Sequence, residues 1–146
     1  MPKKTFILSA ILLLFALLYA MPVASEQTTH VTKVSAEVNP SEHAGPCPKT
    51  FHFTGVITVS RAGKVKYQWE RSDGKHRPPA FTGFSGPDAH TVREFWTLGS
   101  SSAPFHYNGY MRLRILSPYS ALSDKATFTL NCVPRGSAKK AEKAKK

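Results

Sequence analysis

Apolar and polar residues alternate with a period of two through most of residues 31–133. This period is typical of half-buried β-strands, whereas an amphipathic helix repeats its apolar positions every 3.6 residues. Six segments show the alternation clearly, and residues 80–84 show it weakly. The clear segments are 34–38, 51–59, 65–69, 92–98, 111–115 and 126–130.

Turn-forming residues separate these segments. Asn39-Pro40-Ser41, Arg61-Ala62-Gly63 and Ser72-Asp73-Gly74 follow the first three, and Pro118 follows the segment that ends at Ile115. No stretch of residues 31–133 has the pattern of a long helix. The chain is therefore predicted to be all-β, an antiparallel sandwich of about seven strands.

The first 25 residues have the layout of a secretory signal peptide. Lys3 and Lys4 precede an apolar run over residues 6–20, and Val23-Ala24-Ser25 supplies small residues at the expected cleavage point. The run is shorter than the ~20 residues of a membrane-spanning helix. An uncleaved N-terminal anchor is the alternative. We expect three parts: the signal peptide at 1–25, a folded domain at 31–133 and a disordered basic tail at 134–146.

The chain has two cysteines, Cys47 and Cys132, and both lie after the signal peptide. Cys47 shares its parity with Phe51 and Phe53, and Cys132 shares its parity with Phe128, so both thiols are expected to face the core. Because the chain is expected in an oxidising compartment, a Cys47–Cys132 disulfide is predicted.

Several stretches resemble the immunoglobulin-like domains of exported bacterial proteins. They are Gly45-Pro46-Cys47-Pro48-Lys49-Thr50-Phe51, Phe53-Thr54-Gly55, Tyr67-Gln68-Trp69 with Arg71-Ser72-Asp73-Gly74, Trp96-Thr97-Leu98-Gly99, Leu116-Ser117-Pro118 and Ala126-Thr127-Phe128-Thr129-Leu130-Asn131-Cys132. The resemblance covers nearly the whole domain and implies an immunoglobulin-like antiparallel β-sandwich of about seven strands with one disulfide. It says little about function, since such domains serve many roles.

The immunoglobulin arrangement implies positions for the disulfide and the first tryptophan. With the seven strands labelled A to G in order, residues 80–84 are strand D, Trp69 lies on strand C, and the cysteines lie at the start of B and the end of G. B and G belong to opposite sheets, so the bond would join the sheets at one end. Trp69 follows Cys47 by 22 residues, and this spacing is longer than the cysteine-to-tryptophan spacing of the antibody-type pattern. The longer spacing favours a disulfide at the strand ends.

The chain is strongly basic, with a formal net charge of +11. Strands C and F are neighbours in the immunoglobulin arrangement, and their outward positions include lysines and arginines. A basic exported protein tends to meet anionic partners. The candidate anion-binding residues are Lys64, Lys66, Arg112, Arg114 and the tail residues Lys139, Lys140, Lys143, Lys145 and Lys146. The alternative is ordinary surface charge, which also discourages edge-to-edge pairing of sheets.

No pattern in the sequence indicates an active site or a cofactor. The six histidines lack the spacing of a metal site, and the Ser85 segment lacks the strand-to-helix setting of a nucleophile. Glu70 and Asp73 are expected to be solvated turn carboxylates. Aromatic residues within 77–84 and 103–109 are expected in loops, where they either form a recognition surface or cover one end of the core.

These observations predict a non-catalytic module that is secreted or periplasmic, without a membrane span once the signal peptide is removed. Its role would be to bind a partner protein or to act as an accessory in the envelope or outside the cell. The alternative function is a cationic binder of anionic polymers, namely glycan, lipid surface or nucleic acid, through the basic sheet face and the lysine tail.

Overall fold

A computed structural model describes residues 28–133, which form nine β-strands. The predicted signal peptide and the lysine tail lie outside the described residues. No helix in the described part of the chain has the length and apolarity needed to cross a membrane. The strands are β1 (Val31–Asn39), β2 (Glu42–Gly45), β3 (Lys49–Val59), β4 (Gly63–Arg71), β5 (Ala80–Phe84), β6 (Asp88–Leu98), β7 (Phe105–Ser117), β8 (Ala121–Leu122) and β9 (Ala126–Cys132).

The strands form two sheets that pack as an immunoglobulin-like sandwich. One sheet has the order β1-β3-β6, and the other has the order β2-β9-β7-β4-β5, with β8 beside β7. Every pairing is antiparallel except that of β2 with β9, which is parallel. The predicted fold class, an all-β sandwich with one disulfide, is confirmed.

Two details of the strand arrangement differ from the prediction. The short strands β2 and β8 raise the number of strands to nine, because four and two residues are too few to show an alternating pattern. In the constant-type immunoglobulin arrangement strand D lies in one sheet with A, B and E, whereas residues 80–84, labelled D, pair with β4. The hydrogen bonds of the Ser72-Asp73-Gly74 turn fold the chain back beside β4, so β5 extends the sheet that already contains β4 and β7.

The core lies between the sheets and is rich in aromatic rings. Six large residues at inward positions of the alternating segments are buried; these are Phe53, Ile57, Trp69, Trp96, Leu113 and Phe128. Phe128 packs against Phe51 with ring centroids 4.3 Å apart and against Trp96 at 5.5 Å. Because the alternating side chains of both sheets meet here, the inward positions could be assigned from the period of two alone.

The Cys47–Cys132 disulfide joins the two sheets at one end of the sandwich, as predicted. The Cα atoms of the two cysteines are 5.4 Å apart, within the normal range for a disulfide. Cys47 lies in the bend before β3, and Cys132 is the last residue of β9. Since β3 and β9 belong to opposite sheets, the bond holds the sheets together where the chain enters one and leaves the other.

Candidate anion-binding face

The outward face of the six-stranded sheet contains all four of the cationic candidates that lie among the described residues. Lys64 and Lys66 project from β4, and Arg112 and Arg114 project from the adjacent strand β7. The register places Arg112 opposite Glu70 and Arg114 opposite Gln68. The two lysines therefore lie farther along β4, toward the end of the sandwich at which β4 begins.

Glu70 organises the two arginines. Its carboxylate accepts a hydrogen bond from Nε of Arg112 at 2.7 Å and another from Nε of Arg114. The residue is only 7% exposed. Burial by itself would raise the pKa of Glu70, but the hydrogen bonds and charges of Arg114 and Arg112 outweigh it and hold the pKa below its usual value. The carboxylate therefore stays ionised and fixes both guanidinium groups.

The pairing of Glu70 corrects its expected role as a solvated turn residue. Glu70 does not face Asp73; Asp73 instead pairs with Arg71 at 2.5 Å and accepts a hydrogen bond from the Lys75 backbone amide. Glu70 shares its parity with Lys64 and Lys66, which was visible in the sequence. Its pairing with the arginines depends on the register of β4 against β7, which parity does not specify.

Each guanidinium keeps donors available after it has bonded Glu70. Arg112 and Arg114 are 27% and 31% exposed at their side chains. Within residues 28–133, Glu70 is the acceptor for both Nε atoms, and neither guanidinium forms a further side-chain hydrogen bond. Arginine has five N–H donors, so the terminal amino groups can bind an oxyanion while Nε holds the side chain in place.

Two lysines of this face, one of them the candidate Lys66, lie against aromatic rings. Nζ of Lys125 is 4.4 Å from the ring centroid of Tyr110, and Nζ of Lys66 is 5.6 Å from that of Phe81. Such cation–π contacts restrain a flexible lysine without neutralising it. Lys125 and Tyr110 thus flank Arg112, so the cationic surface continues to the residue just before β9.

A shallow groove of about 440 Å³ lies on the same face, where β2, β9 and β7 meet. Its lining includes Ser41, Glu42, Asn108, Tyr110, Thr127 and Thr129. The groove could not be inferred from the sequence, because one wall is formed by β2, a strand that the sequence pattern did not predict. Its side chains are mainly hydroxyl and amide groups, which distinguishes it from the charged surface at Arg112.

The aromatic residues expected in loops separate into two groups. Phe84 is buried, and Tyr107 packs against the core. These two residues therefore cover the core, which is one of the two roles expected for the aromatic residues. Phe81 is 65% exposed, and Phe105 is also exposed, which leaves both available to a partner. Strand β7 begins at Phe105, so most of the predicted loop 103–109 is strand.

Arg77 connects the segment before β5 to the other sheet. Its Nη2 donates to Oε1 of Glu94 at 3.1 Å and to the backbone oxygen of Phe95 at 3.1 Å. Glu94 has the inward parity of β6, so its carboxylate lies on the core-facing side of that strand. The ion pair with Arg77 compensates its charge there. Burial and the nearby charge of Glu94 raise the pKa of the Tyr67 hydroxyl.

No group of three or more His, Cys, Asp and Glu side chains within residues 28–133 is arranged to hold a metal ion. His52 projects outward from β3 and is exposed. His90 stacks on Phe84 with ring centroids 4.1 Å apart and hydrogen-bonds with Thr82 at 2.9 Å. These two histidines are thus surface and packing residues of the sheets.

Comparisons with known proteins give the fold and no family. No family model and no curated protein matches the chain. Part of a β-glucosidase from Erythrobacter marinus matches with a TM-score of 0.50 and 10% identity, over 70% of this chain and 15% of that one. At this identity the match shows the sandwich fold alone.

Two other solved structures have lower TM-scores. An alkylpurine DNA glycosylase from Pseudomonas fluorescens, bound to DNA containing an abasic site analog, matches at 0.46 with 11% identity, over 68% of this chain and 30% of that one. The CARDB domain of a Pyrococcus furiosus protein, in complex with di-metal ions, matches at 0.43 with 10% identity, over 73% and 90%. The chain thus spans less than a third of the glucosidase and of the glycosylase.

Proposed function

We propose that this chain is an exported, non-catalytic immunoglobulin-like module that binds a partner, or acts as an accessory, in the periplasm or outside the cell. The signal-peptide layout of residues 1–25 supports export. The Cys47–Cys132 disulfide is compatible with it, because such bonds persist mainly in oxidising compartments.

The titratable groups of the domain support a non-catalytic role. A general acid or base works best when its pKa lies near the operating pH. The shifted carboxyl groups, Glu70 and Asp73, have lowered pKa values, and both are held by arginines. The pKa of Tyr67 is raised, which moves this group farther from neutrality. All three shifts thus lead away from acid–base chemistry at neutral pH.

The main observation behind a binding role is the ordered outer face of the six-stranded sheet. Arg112 and Arg114 are anchored by Glu70 and retain free donors, and Lys66 and Lys125 are restrained beside them. Preorganised side chains lose less conformational entropy when they bind a partner. This observation also favours a second candidate function, the binding of anionic polymers by Lys64, Lys66, Arg112 and Arg114 together with the lysine tail.

A test of the face has to respect the buried carboxylate. Replacing the arginines alone would leave Glu70 buried without its partners, which is costly in itself. We define the face variant as one that also neutralises Glu70, so that it lowers the net charge by three. It combines Lys64→Gln, Lys66→Gln, Arg112→Gln, Arg114→Gln and Glu70→Gln.

A matched control removes the same net charge elsewhere. Lys33 and Arg93 are exposed on the outer face of the three-stranded sheet, and Arg61 is exposed in the turn after β3. The control variant combines Lys33→Gln, Arg61→Gln and Arg93→Gln. Any difference between the two variants then reports the position of the charge rather than its amount.

The decisive experiment measures binding of a chain that ends at Gly136 to heparin, nucleic acid and anionic vesicles as salt increases. We expect affinity to fall steeply with salt, because bound cationic groups release counterions. The face variant should flatten the salt dependence, and the control variant should leave it nearly unchanged. Equal effects of both variants, or no salt-dependent binding at all, would remove the anionic-polymer candidate.

The broader module proposal has its own experiment. Residues 26–146 are immobilised and used to capture partners from the native envelope fraction, with the face variant and the control variant as parallel baits. A stoichiometric partner retained by the control variant and lost with the face variant supports binding through this face. A partner captured equally by all three places the binding surface elsewhere, and turnover of a captured substrate would overturn the non-catalytic role.

A further inference from the structure

The groove and the arginine pair form one continuous track along strand β7. Asn108, Tyr110, Arg112 and Arg114 are successive outward residues of this strand. Two residues of a β-strand span about 6.8 Å, so the track from Asn108 to Arg114 is about 20 Å long. A ligand that follows β7 would therefore meet the groove first and the guanidinium groups next.

The groove end of the track suits a ligand with many hydroxyl groups. Thr129 pairs with Glu42 on one side and with Asn108 on the other, and Thr127 pairs with Tyr110. Neighbouring groups in these rows are one strand spacing apart, about 4.8 Å, and the Glu42 carboxylate and the Asn108 amide lie on opposite sides of the Thr129 hydroxyl. Such groups can donate to and accept from sugar hydroxyls, while Tyr110 provides an apolar ring surface beside them.

The order of negative and positive charges along the track favours some anionic polymers over others. Glu42 places a negative charge at the groove, whereas Arg112 and Arg114 place positive charges two and four residues beyond Tyr110 on β7. A nucleic acid has a phosphate at every nucleotide, so one phosphate would lie near Glu42 and be repelled. A polysaccharide with neutral sugars between its acidic sugars avoids this repulsion.

A nucleic acid would also find little to stack on in the groove. The groove lining contains two aromatic residues, Tyr110 and Phe128, and Phe128 is only 3% exposed, so a single ring is available for stacking. Single-stranded nucleic acids are usually held by exposed aromatic rings on which successive bases stack.

From this placement we propose that the outer face of the six-stranded sheet binds an acidic polysaccharide, with a neutral sugar in the groove beside Tyr110 and an acidic group on Arg112 and Arg114. The proposal rests on the anionic-polymer candidate and names its ligand class. Glu42 has a selective role in it: the carboxylate bonds hydroxyl groups and excludes a second negative charge from the groove.

The test compares four probes with the chain that ends at Gly136. They are an oligosaccharide of alternating uronic acid and neutral amino sugar, a polyuronate with a charge on every sugar, a single-stranded DNA oligomer and vesicles with anionic headgroups. Binding is measured by calorimetry at fixed ionic strength. We expect the alternating oligosaccharide to bind most tightly for its number of charges.

Two substitutions in the groove make the test specific. Glu42→Gln should strengthen binding of the polyuronate and DNA, because it removes the repulsion, without strengthening binding of the alternating oligosaccharide. Thr129→Val keeps the shape and removes a hydroxyl group, so affinity for the alternating oligosaccharide should fall by about two- to tenfold, the range expected for one hydrogen bond. Thr54→Val, on the outer face of the three-stranded sheet, is the matched control.

The outcomes separate this proposal from the function on which it rests. If Glu42→Gln and Thr129→Val leave all four affinities unchanged while the face variant abolishes binding, the polysaccharide assignment is overturned and the anionic-polymer function stands. Preferential binding of DNA or of vesicles likewise overturns it. If none of the probes binds, the polysaccharide proposal and the anionic-polymer candidate fail together.

Discussion

The carboxylate of Glu70 accepts a hydrogen bond from Nε of Arg112 at 2.7 Å, across the neighbouring strands β4 and β7. The same carboxylate bonds Arg114, so one buried acid links two positions of the adjacent strand. We expect Glu70→Gln to lower the free energy of unfolding at pH 7 by about 1–3 kcal/mol, because it weakens two charge-assisted hydrogen bonds. Urea denaturation measures this change.

The lowered pKa of Glu70 also predicts how stability depends on pH. Between the lower pKa of the folded state and the unfolded value of about 4.3, the unfolded chain binds more protons. The stabilisation is therefore fully present above pH of about 4.3 and is lost as the pH falls through the folded-state pKa. Glu70→Gln should flatten this acid dependence. Asp73→Asn is the parallel measurement, because the lowered pKa of Asp73 acts in the same direction.

Trp69 should be among the most costly residues to truncate. It is 3% exposed and packs against Phe53 and the backbone of Gly55, where an added Cβ would lie 3.0 Å from the indole ring. We expect Trp69→Ala to cost about 3–5 kcal/mol, through lost burial and the cavity left behind. Phe81→Ala, at a 65% exposed aromatic residue, should cost less than about 1 kcal/mol. Similar losses for both variants would contradict the burial of Trp69.

Replacing Gly99 should lower stability more than replacing other glycines of the same backbone conformation, because the disulfide lies beside it. A Cβ at this position would lie 2.5 Å from Sγ of Cys132 and 2.8 Å from Sγ of Cys47, and the backbone has φ +82°. Gly74 has nearly the same backbone, φ +78°, with open space around it. Gly74→Ala should therefore cost about 1–2 kcal/mol of backbone strain, and Gly99→Ala about 1–3 kcal/mol more for the clash.

The comparison of the two glycine variants is made by chemical denaturation with the disulfide intact. Both substitutions add one methyl group to a left-handed position, so the difference between their free energies of unfolding isolates the contact with the sulfurs. A loss for Gly99→Ala no greater than for Gly74→Ala would show that the segment after β6 moves away from the disulfide.

The disulfide itself should account for a large share of stability. The bond closes a loop with a sequence separation of 85 residues. On the chain-entropy model such a bond contributes about 4.6 kcal/mol, against a typical domain stability of about 5–15 kcal/mol. The double variant Cys47→Ala with Cys132→Ala should lose most of this amount in urea denaturation. A loss below about 1 kcal/mol would mean that the packing around Gly99 holds the sheets together without the bond.

Inward and outward positions could be assigned from the sequence because a β-strand has a side-chain period of two. Phe53, Trp69 and Phe128 were assigned to the core in this way, and all three are buried. The disulfide partners needed no geometry, since Cys47 and Cys132 are the only cysteines. Periodicity failed for β2 and β8, because very short strands contain too few residues to repeat a pattern.

The neighbours of each strand were decided by the tertiary structure. Parity placed Glu70 and Arg112 on outward positions, but only the register of β4 against β7 brings the carboxylate between the two arginines. The parallel pairing of β2 with β9 creates the groove at Glu42, and the return of residues 80–84 beside β4 brings Phe81 to Lys66. A period of two determines the face on which a side chain lies, whereas its cross-strand partner depends on hydrogen bonds between segments far apart in the chain.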